Sequence, residues 1–309
     1  MITKRMELWN KYHKGKFGEK WITDSELSFT ENILHIHLDI YRRVDKISID
    51  SKSYIEKLFS IADSLSEEME KINGMEDATK ETIKQFVARD NIPYNQDIYD
   101  FIDILNTIDD EKNRSANCLG KTTLFVCLAE MVDHELFSKL RVVTIPSHVF
   151  VRVKSSEGDR DIETTATYKK MESKSKGKGI EREVKFIIPT ILYGVYYETL
   201  DEKILDEISD NFPTYDLALA EKGRRSIERN NIPEAEKYID RALEIFPDEP
   251  DYLKLKGDVE YKKGNKREAR KYYEKAMSSK YADRKIKADC LKSIVKIDRE
   301  LNFNVYIQG

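Results

Sequence analysis

The chain reads as an α+β core followed by an all-α helical-repeat domain, and three observations carry that reading. Apolar residues at helical spacing dominate up to Val132, and β-branched alternation takes over between Arg141 and Thr165. In the last third, Gly223 and Gly257, Ala235 and Ala269, and Ala242 and Ala276 each recur at 34 residues. A boundary near residue 198 separates a first domain, 1–198, from a second, 199–309.

At 309 residues the chain is long enough for two cores, and 40% hydrophobic with 36% charged residues describes globular rather than disordered sequence. A net charge of −4 argues against a nucleic-acid-binding surface. Three widely spaced cysteines give no disulfide framework and suit a reducing, cytoplasmic setting. The first residues carry charges throughout, with no apolar core of a secretory signal. The longest apolar stretch, 186–197, is broken by Pro189 and Gly194 and is shorter than the roughly 20 residues a membrane-spanning helix needs, so no membrane partner is expected.

Taken in order, Ile33 to Ile40 alternates strictly and is expected to be a strand. Leu34, Ile36, Leu38 and Ile40 would face inward and His35, His37 and Asp39 outward. The two histidines invite a metal reading, but no further ligand lies at a persuasive spacing, so neither a metal nor an organic cofactor is expected. Ile55, Leu58, Phe59, Ala62, Leu65, Met69 and Ile72 keep helical spacing, as do Ile98, Phe101, Ile102, Leu105 and Ile108. Both helices are expected to pack around the next one.

That next helix opens at Cys118 and runs through Leu124, Phe125, Val126, Cys127, Leu128, Ala129, Met131 and Val132, apolar on every side. In its first turn, free N–H groups and the positive end of the helix dipole favour a thiolate at Cys118. Cys127 lacks that help and reads as packing. Arg141 to Ile145 and His148 to Val153 read as two strands joined by a tight turn, with His148, Phe150 and Arg152 on one face. A turn at Glu157-Gly-Asp159 leads into Arg160 to Thr165, where Asp161 and Glu163 share a face. A carboxylate on the face that carries His148 would hold the imidazole in the tautomer whose other nitrogen accepts the thiol proton.

At these residues the chain resembles the transglutaminase-like superfamily, over roughly Asn113 to Thr165. The resemblance implies a papain-related core with a nucleophile on a helix, a base on a strand and an acid on the next strand. It assigns Cys118, His148 and Glu163 to those roles, with Asp161 as the alternative acid. Glu163 stands where the family mostly has Asp, and Leu-Gly-Lys-Thr after Cys118 lacks the aromatic often found there. The backbone N–H of Cys118 is the default oxyanion donor, with the Asn113 or Asn117 side chain as a candidate second; an Asn at either place is more often a helix cap.

The 34-residue period in the last third resembles two tetratricopeptide repeats, about 216–249 and 250–283. Leu219 and Leu253, and Ile239 and Tyr273, fill the larger positions, and Pro247 closes the first repeat where the second has Tyr281. Flanking helices, roughly Leu200 to Asp210 and Asp283 to Leu301, are expected to cap the array. The resemblance implies a groove for a protein partner, or a rigid extension of the core.

A lysine-rich loop, Lys169 to Lys178, follows Glu163 closely and reads as a solvated surface segment or as a guide for acidic substrates. Together these features point to a cysteine hydrolase or acyltransferase acting on peptide or glutamine amides through a thioester. The alternative is a catalytically inactive interaction scaffold; a redox thiol at Cys118 would require Cys290 as its partner.

Overall fold

The structure is a computed structural model that describes residues 28–40, 51–71, 78–87, 92, 104–105, 107–109, 115–145, 148–162 and 180–307. The chain divides into two compact units, Met1–Thr199 and Leu200–Gly309. Among the described residues it is mostly helical, with one four-stranded antiparallel sheet, and is therefore of the α+β class.

The first described helix of the first unit is α1, Phe29–Ile40, where alternation suggested a strand. The correction has a local cause. Ser28 and Glu31 form a reciprocal capping box, Ser28 N–H donating to Glu31 Oε2 at 2.8 Å and Glu31 N–H to Ser28 Oγ at 3.2 Å. Thr30, Ile33, Leu34 and His37 also satisfy a helical stripe, so His37 is fully buried instead of facing outward. Helix α2, Ser51–Lys71, buries Leu58, Ala62 and Leu65 at the expected spacing, and α3, Ala78–Val87, adds Ile83 and Val87. Of the helix expected at Ile98 to Ile108, the described residues include Ile104, Leu105 and Ile108, all buried.

Helix α4, Cys118–Val132, is the centre of the unit. Among the described elements, α1, α2, α3, α5, α6 and strand β2, whose bounds follow, all pack against it. Asn117 caps its start by accepting from Gly120 N–H at 2.9 Å. Gly120 is the residue that fits there, because a Cβ at that point would lie 2.4 Å from Ile104 Cδ1. Asp133 ends α4 and begins α5, His134–Lys139, by accepting from Leu136 N–H at 3.0 Å. The other end of α4 holds α1: Glu130 accepts from Phe29 N–H at 2.8 Å, Thr30 N–H at 2.7 Å and Thr30 Oγ1 at 2.6 Å.

The sheet follows, with β1, Leu140–Ile145, β2, His148–Val153, β3, Arg160–Ile162, and β4, Ile180–Glu183, in the order β3-β2-β1-β4. The register pairs Val143 with Phe150 and Arg141 with Arg152, and then Arg152 with Asp161. One face is built from Leu140, Val142, Val149, Val151, Val153 and Ile162, all buried, and this is the face that can meet an apolar helix. A 3₁₀ turn at Val184–Phe186 leads into α6, Ile187–Thr199, which packs on α1 and α4.

Among its described residues the second unit has helices and no strand: α7, Glu202–Asn211; α8, Asp216–Glu228; α9, Ile232–Ile245; α10, Pro250–Lys262; α11, Lys266–Ser278; α12, Arg284–Ile307. The pair α8 and α9 recurs as α10 and α11 with the offset seen in the sequence. Ala235, Ala242, Ala269 and Ala276 are all completely buried where the paired helices approach, and Ile239 and Tyr273 fill equivalent places in two successive cores. Lys256 joins the pairs, with its ammonium 2.9 Å from Glu236 and 2.7 Å from Asp240.

Two stability outcomes follow. Glu130→Ala removes three donors' acceptor from the start of α1 and should lower the unfolding free energy by about 2 kcal/mol, with Glu130→Gln, whose amide nitrogen cannot accept, recovering only part of it; urea unfolding measures both. A Cβ on Gly257 would stand 2.6 Å from the Tyr273 ring. Gly257→Ala should therefore cost about 1–3 kcal/mol in the same assay despite the better helix propensity of alanine, and a neutral or stabilising result would show that the ring gives way freely.

Candidate functional site

Cys118 occupies the first turn of α4 and is half-buried, and His148 opens β2 and is half-buried as well. The link between them is Thr122, one helical turn after Cys118. Its buried hydroxyl donates to the carbonyl of Val149 at 3.3 Å, and Val149 is the neighbour of His148. The start of the helix is thus tied to the start of the strand, with Cys118 about 6 Å along the helix from the tether and His148 one residue, about 3.8 Å, along the chain. The imidazole stacks on Phe150, ring centroids 5.9 Å apart at 26°, and Phe150 is itself buried.

Asp161 is engaged elsewhere. Both its carboxylate oxygens accept from the Arg152 guanidinium, at 2.6 and 3.0 Å, and Arg152 also reaches Glu181 at 3.3 Å. These contacts, the Asp161 hydrogen bonds foremost, raise the guanidinium's pKa further. Arg152 lies four residues from His148, about 13 Å along the strand, with Phe150 between them. The alternative acid is thus committed to Arg152, toward the end of β2 remote from His148. Glu163 and Asn113 lie outside the described residues, as does the segment Lys169 to Lys178; β3 runs toward the His148 end of β2 where its description stops at Ile162. Asn117 acts as the helix cap through its carbonyl oxygen.

Lys121 escaped the sequence reading. It is fully buried in the first turn of α4, three residues after Cys118, and its signal was a lone cation inside a run otherwise apolar or small. All three cysteines are free. The other two are poor nucleophiles: burial, with the Glu130 carboxylate adding to it, pushes the Cys127 thiol well above its ordinary range, and burial raises Cys290 to about 11. Cys290 is fully buried in a core of the second unit, a setting that does not suit a resolving thiol.

Among the described residues, no group of three or more His, Cys, Asp or Glu side chains is arranged to hold a metal ion, and no helix is long and apolar enough to cross a membrane. No protein-family model matches the chain, and no curated protein matches it.

The second unit carries its own concavity. The helices α8, α10 and α12 stand side by side and enclose a groove of about 440 Å³. At the N-terminal ends of α8 and α10 lie Asp216, fully buried and hydrogen-bonded by Tyr252 Oη at 2.9 Å, Glu249 and Asp251. Burial first, then Asp251 and Asp216, push the Glu249 carboxyl up to about 7.

A raised acid is protonated more readily in the folded than in the unfolded chain. Its stabilising contribution is complete below about pH 4.5, the ordinary value, and is lost as pH rises through about 7. The helical signal of the second unit should therefore unfold at lower urea at pH 7.5 than at pH 5, by about 1–2 kcal/mol, and Glu249→Gln should remove most of the difference. An unchanged pH slope in that variant would reject the assignment.

Proposed function

We propose that the chain is a transglutaminase-like cysteine hydrolase acting on peptide or glutamine amides, with Cys118 as nucleophile, His148 as base and then acid, and Glu163 as the group that orients the imidazole. The observation that carries this reading is the hydrogen bond from Thr122 to Val149, which ties the turn bearing Cys118 to the strand that His148 opens. Both side chains are half-buried, as a site open to substrate requires, and the other two thiols are sealed. The engagement of Asp161 by Arg152 favours Glu163 as the acid.

In this mechanism His148 takes the Cys118 proton, and the sulfur attacks the amide carbon. The oxyanion that forms is met by the N–H of Cys118, one of the first helical N–H groups that have no partner within a helix. His148 returns the proton to the departing amine, leaving a thioester. Water, deprotonated by His148, then attacks the thioester, releasing the acid and restoring the thiol. Hydrolysis is favoured over transfer because an amine acceptor requires a second shaped site.

The second unit fits tetratricopeptide-like repeats, a reading supported by the 34-residue offset of its helix pairs and by the small residues buried where they touch. Its groove would bind a protein segment. The free thiols suit a reducing, cytoplasmic setting.

Iodoacetamide labelling against pH tests the catalytic reading. Cys118 should label rapidly below pH 7, and His148→Ala should reduce that rate by about ten-fold or more while Cys127 and Cys290 stay unlabelled in the folded chain. Labelling that follows an ordinary thiol titration and is indifferent to His148→Ala would leave the interaction scaffold as the better description.

A further inference from the structure

We propose that the groove of the second unit takes an apolar segment flanked by lysine or arginine from a partner protein. The inference rests on the reading of this groove as a binding surface and adds the chemistry of its occupant. The floor is apolar, formed by Ile227, Leu255 and Ile286. The walls are not neutral: Glu228, Asp251, Asp258, Asp283 and Asp289 supply five carboxylates against three cations, Arg224, Lys254 and Lys285.

Those cations are partly committed. Lys254 is held by Asp258 at 2.9 Å, and Arg224 reaches away to Glu221, a carboxylate outside the groove, at 3.3 Å. Glu228 and Asp289 hold Arg225 and Lys292 at 3.3 and 3.2 Å. Such exposed pairs contribute little and exchange readily for a ligand's cation. Asp251 is on the surface of the groove, yet desolvation by the surrounding groove, with Asp283 adding to it, keeps its carboxyl above its ordinary range even with Arg224, Lys254 and Lys285 in its field. A further positive charge at that point relieves the excess, whereas an acidic segment would meet five like charges. The floor then selects an apolar side chain between the basic ones.

The test is binding of three synthetic hexapeptides to the full chain by fluorescence anisotropy: two leucines flanked on each side by a pair of lysines, of serines or of glutamates. The lysine peptide should bind roughly ten-fold more tightly than the serine peptide, the glutamate peptide should be weakest, and added salt should erode the difference. Asp251→Asn combined with Asp289→Asn should weaken the lysine peptide roughly five-fold, and Lys285→Glu should tighten it by about two-fold or more; all three positions are on the surface, and an unchanged helical signal checks the fold. Equal binding of all three peptides overturns the charge inference and leaves the groove reading standing. Absence of any binding, in the parent chain and in Lys285→Glu alike, overturns both. Self-association of the chain that the lysine peptide does not dissolve identifies a second copy as the occupant and also overturns the proposal. None of these outcomes depends on Cys118 reactivity.

Discussion

The first unit is organised by one requirement: a helix that is apolar on every side must be covered on every side. From Gly120 to Ala129 every residue of α4 is buried, and no single partner could achieve that. Helices before it in the chain, α1 to α3, supply part of the cover, and α5, α6 and β2, after it, supply more. The cover ends at the helix start, where Asn117, Cys118 and Leu119 are half-buried. A helix's first turn has N–H groups that want an acceptor, so the exposed end of a buried helix is where a polar ligand is best received. The position that makes Cys118 reachable and the packing that makes α4 rigid are consequences of the same burial.

The sheet divides along its length in a related way. Toward His148, the face it shares carries the buried Phe150 and Val143; toward Val153 the same face carries Arg152, Asp161 and Glu181 as an ion-pair network, with Lys154 reaching Glu181 and Asp159 from the following loop. Arg152 reaches from β2 to Asp161 on the adjacent β3 and, across β1, to Glu181 on β4, and the Asp161 pair pins the register of β2 against β3 at the end remote from the histidine. A guanidinium fork matches a carboxylate in two bonds, so Asp161 satisfies a structural demand there. Register fixed at one end leaves the other end of β2 to meet α4 through Thr122.

How much of this was legible in the sequence depended on how local the deciding physics was. The bounds of α4 and the pairing of β1 with β2 could be read from composition because burial on all sides and period-two alternation each leave a direct trace. The helix pairs of the second unit were legible because small residues must recur wherever two helices touch, as Gly223 and Gly257 show: a Cβ there would meet Ile239 at 2.5 Å and Tyr273 at 2.6 Å. Helix α1 was misread because its apolar residues satisfy both periods, and the capping box at Ser28 and Glu31 was the signal that separates them. Strand β4 carried too little pattern to be seen: Ile180 to Glu183 is short and mostly charged, and it forms because β1 offers it an edge. Face alternation alone could not separate Asp161 from Glu163, since both share a face, and the pairing of Asp161 with Arg152 was not legible because it is set by cross-strand register.

Two cysteines on a single helix show why position outweighs residue type in this fold. Cys127 lies nine residues after Cys118, with its carbonyl accepting from Thr30 Oγ1 at 3.3 Å and Glu130 close enough to oppose an anion. Desolvation and a neighbouring carboxylate both act against its thiolate, and the same carboxylate cannot be removed without uncapping α1. Evolution of a nucleophile at Cys127 would thus conflict with the capping that assembles the unit. At Cys118 the nearest structural demands, the cap and the tether, are met by the side chains of Asn117 and Thr122, and the half-buried sulfur takes part in neither.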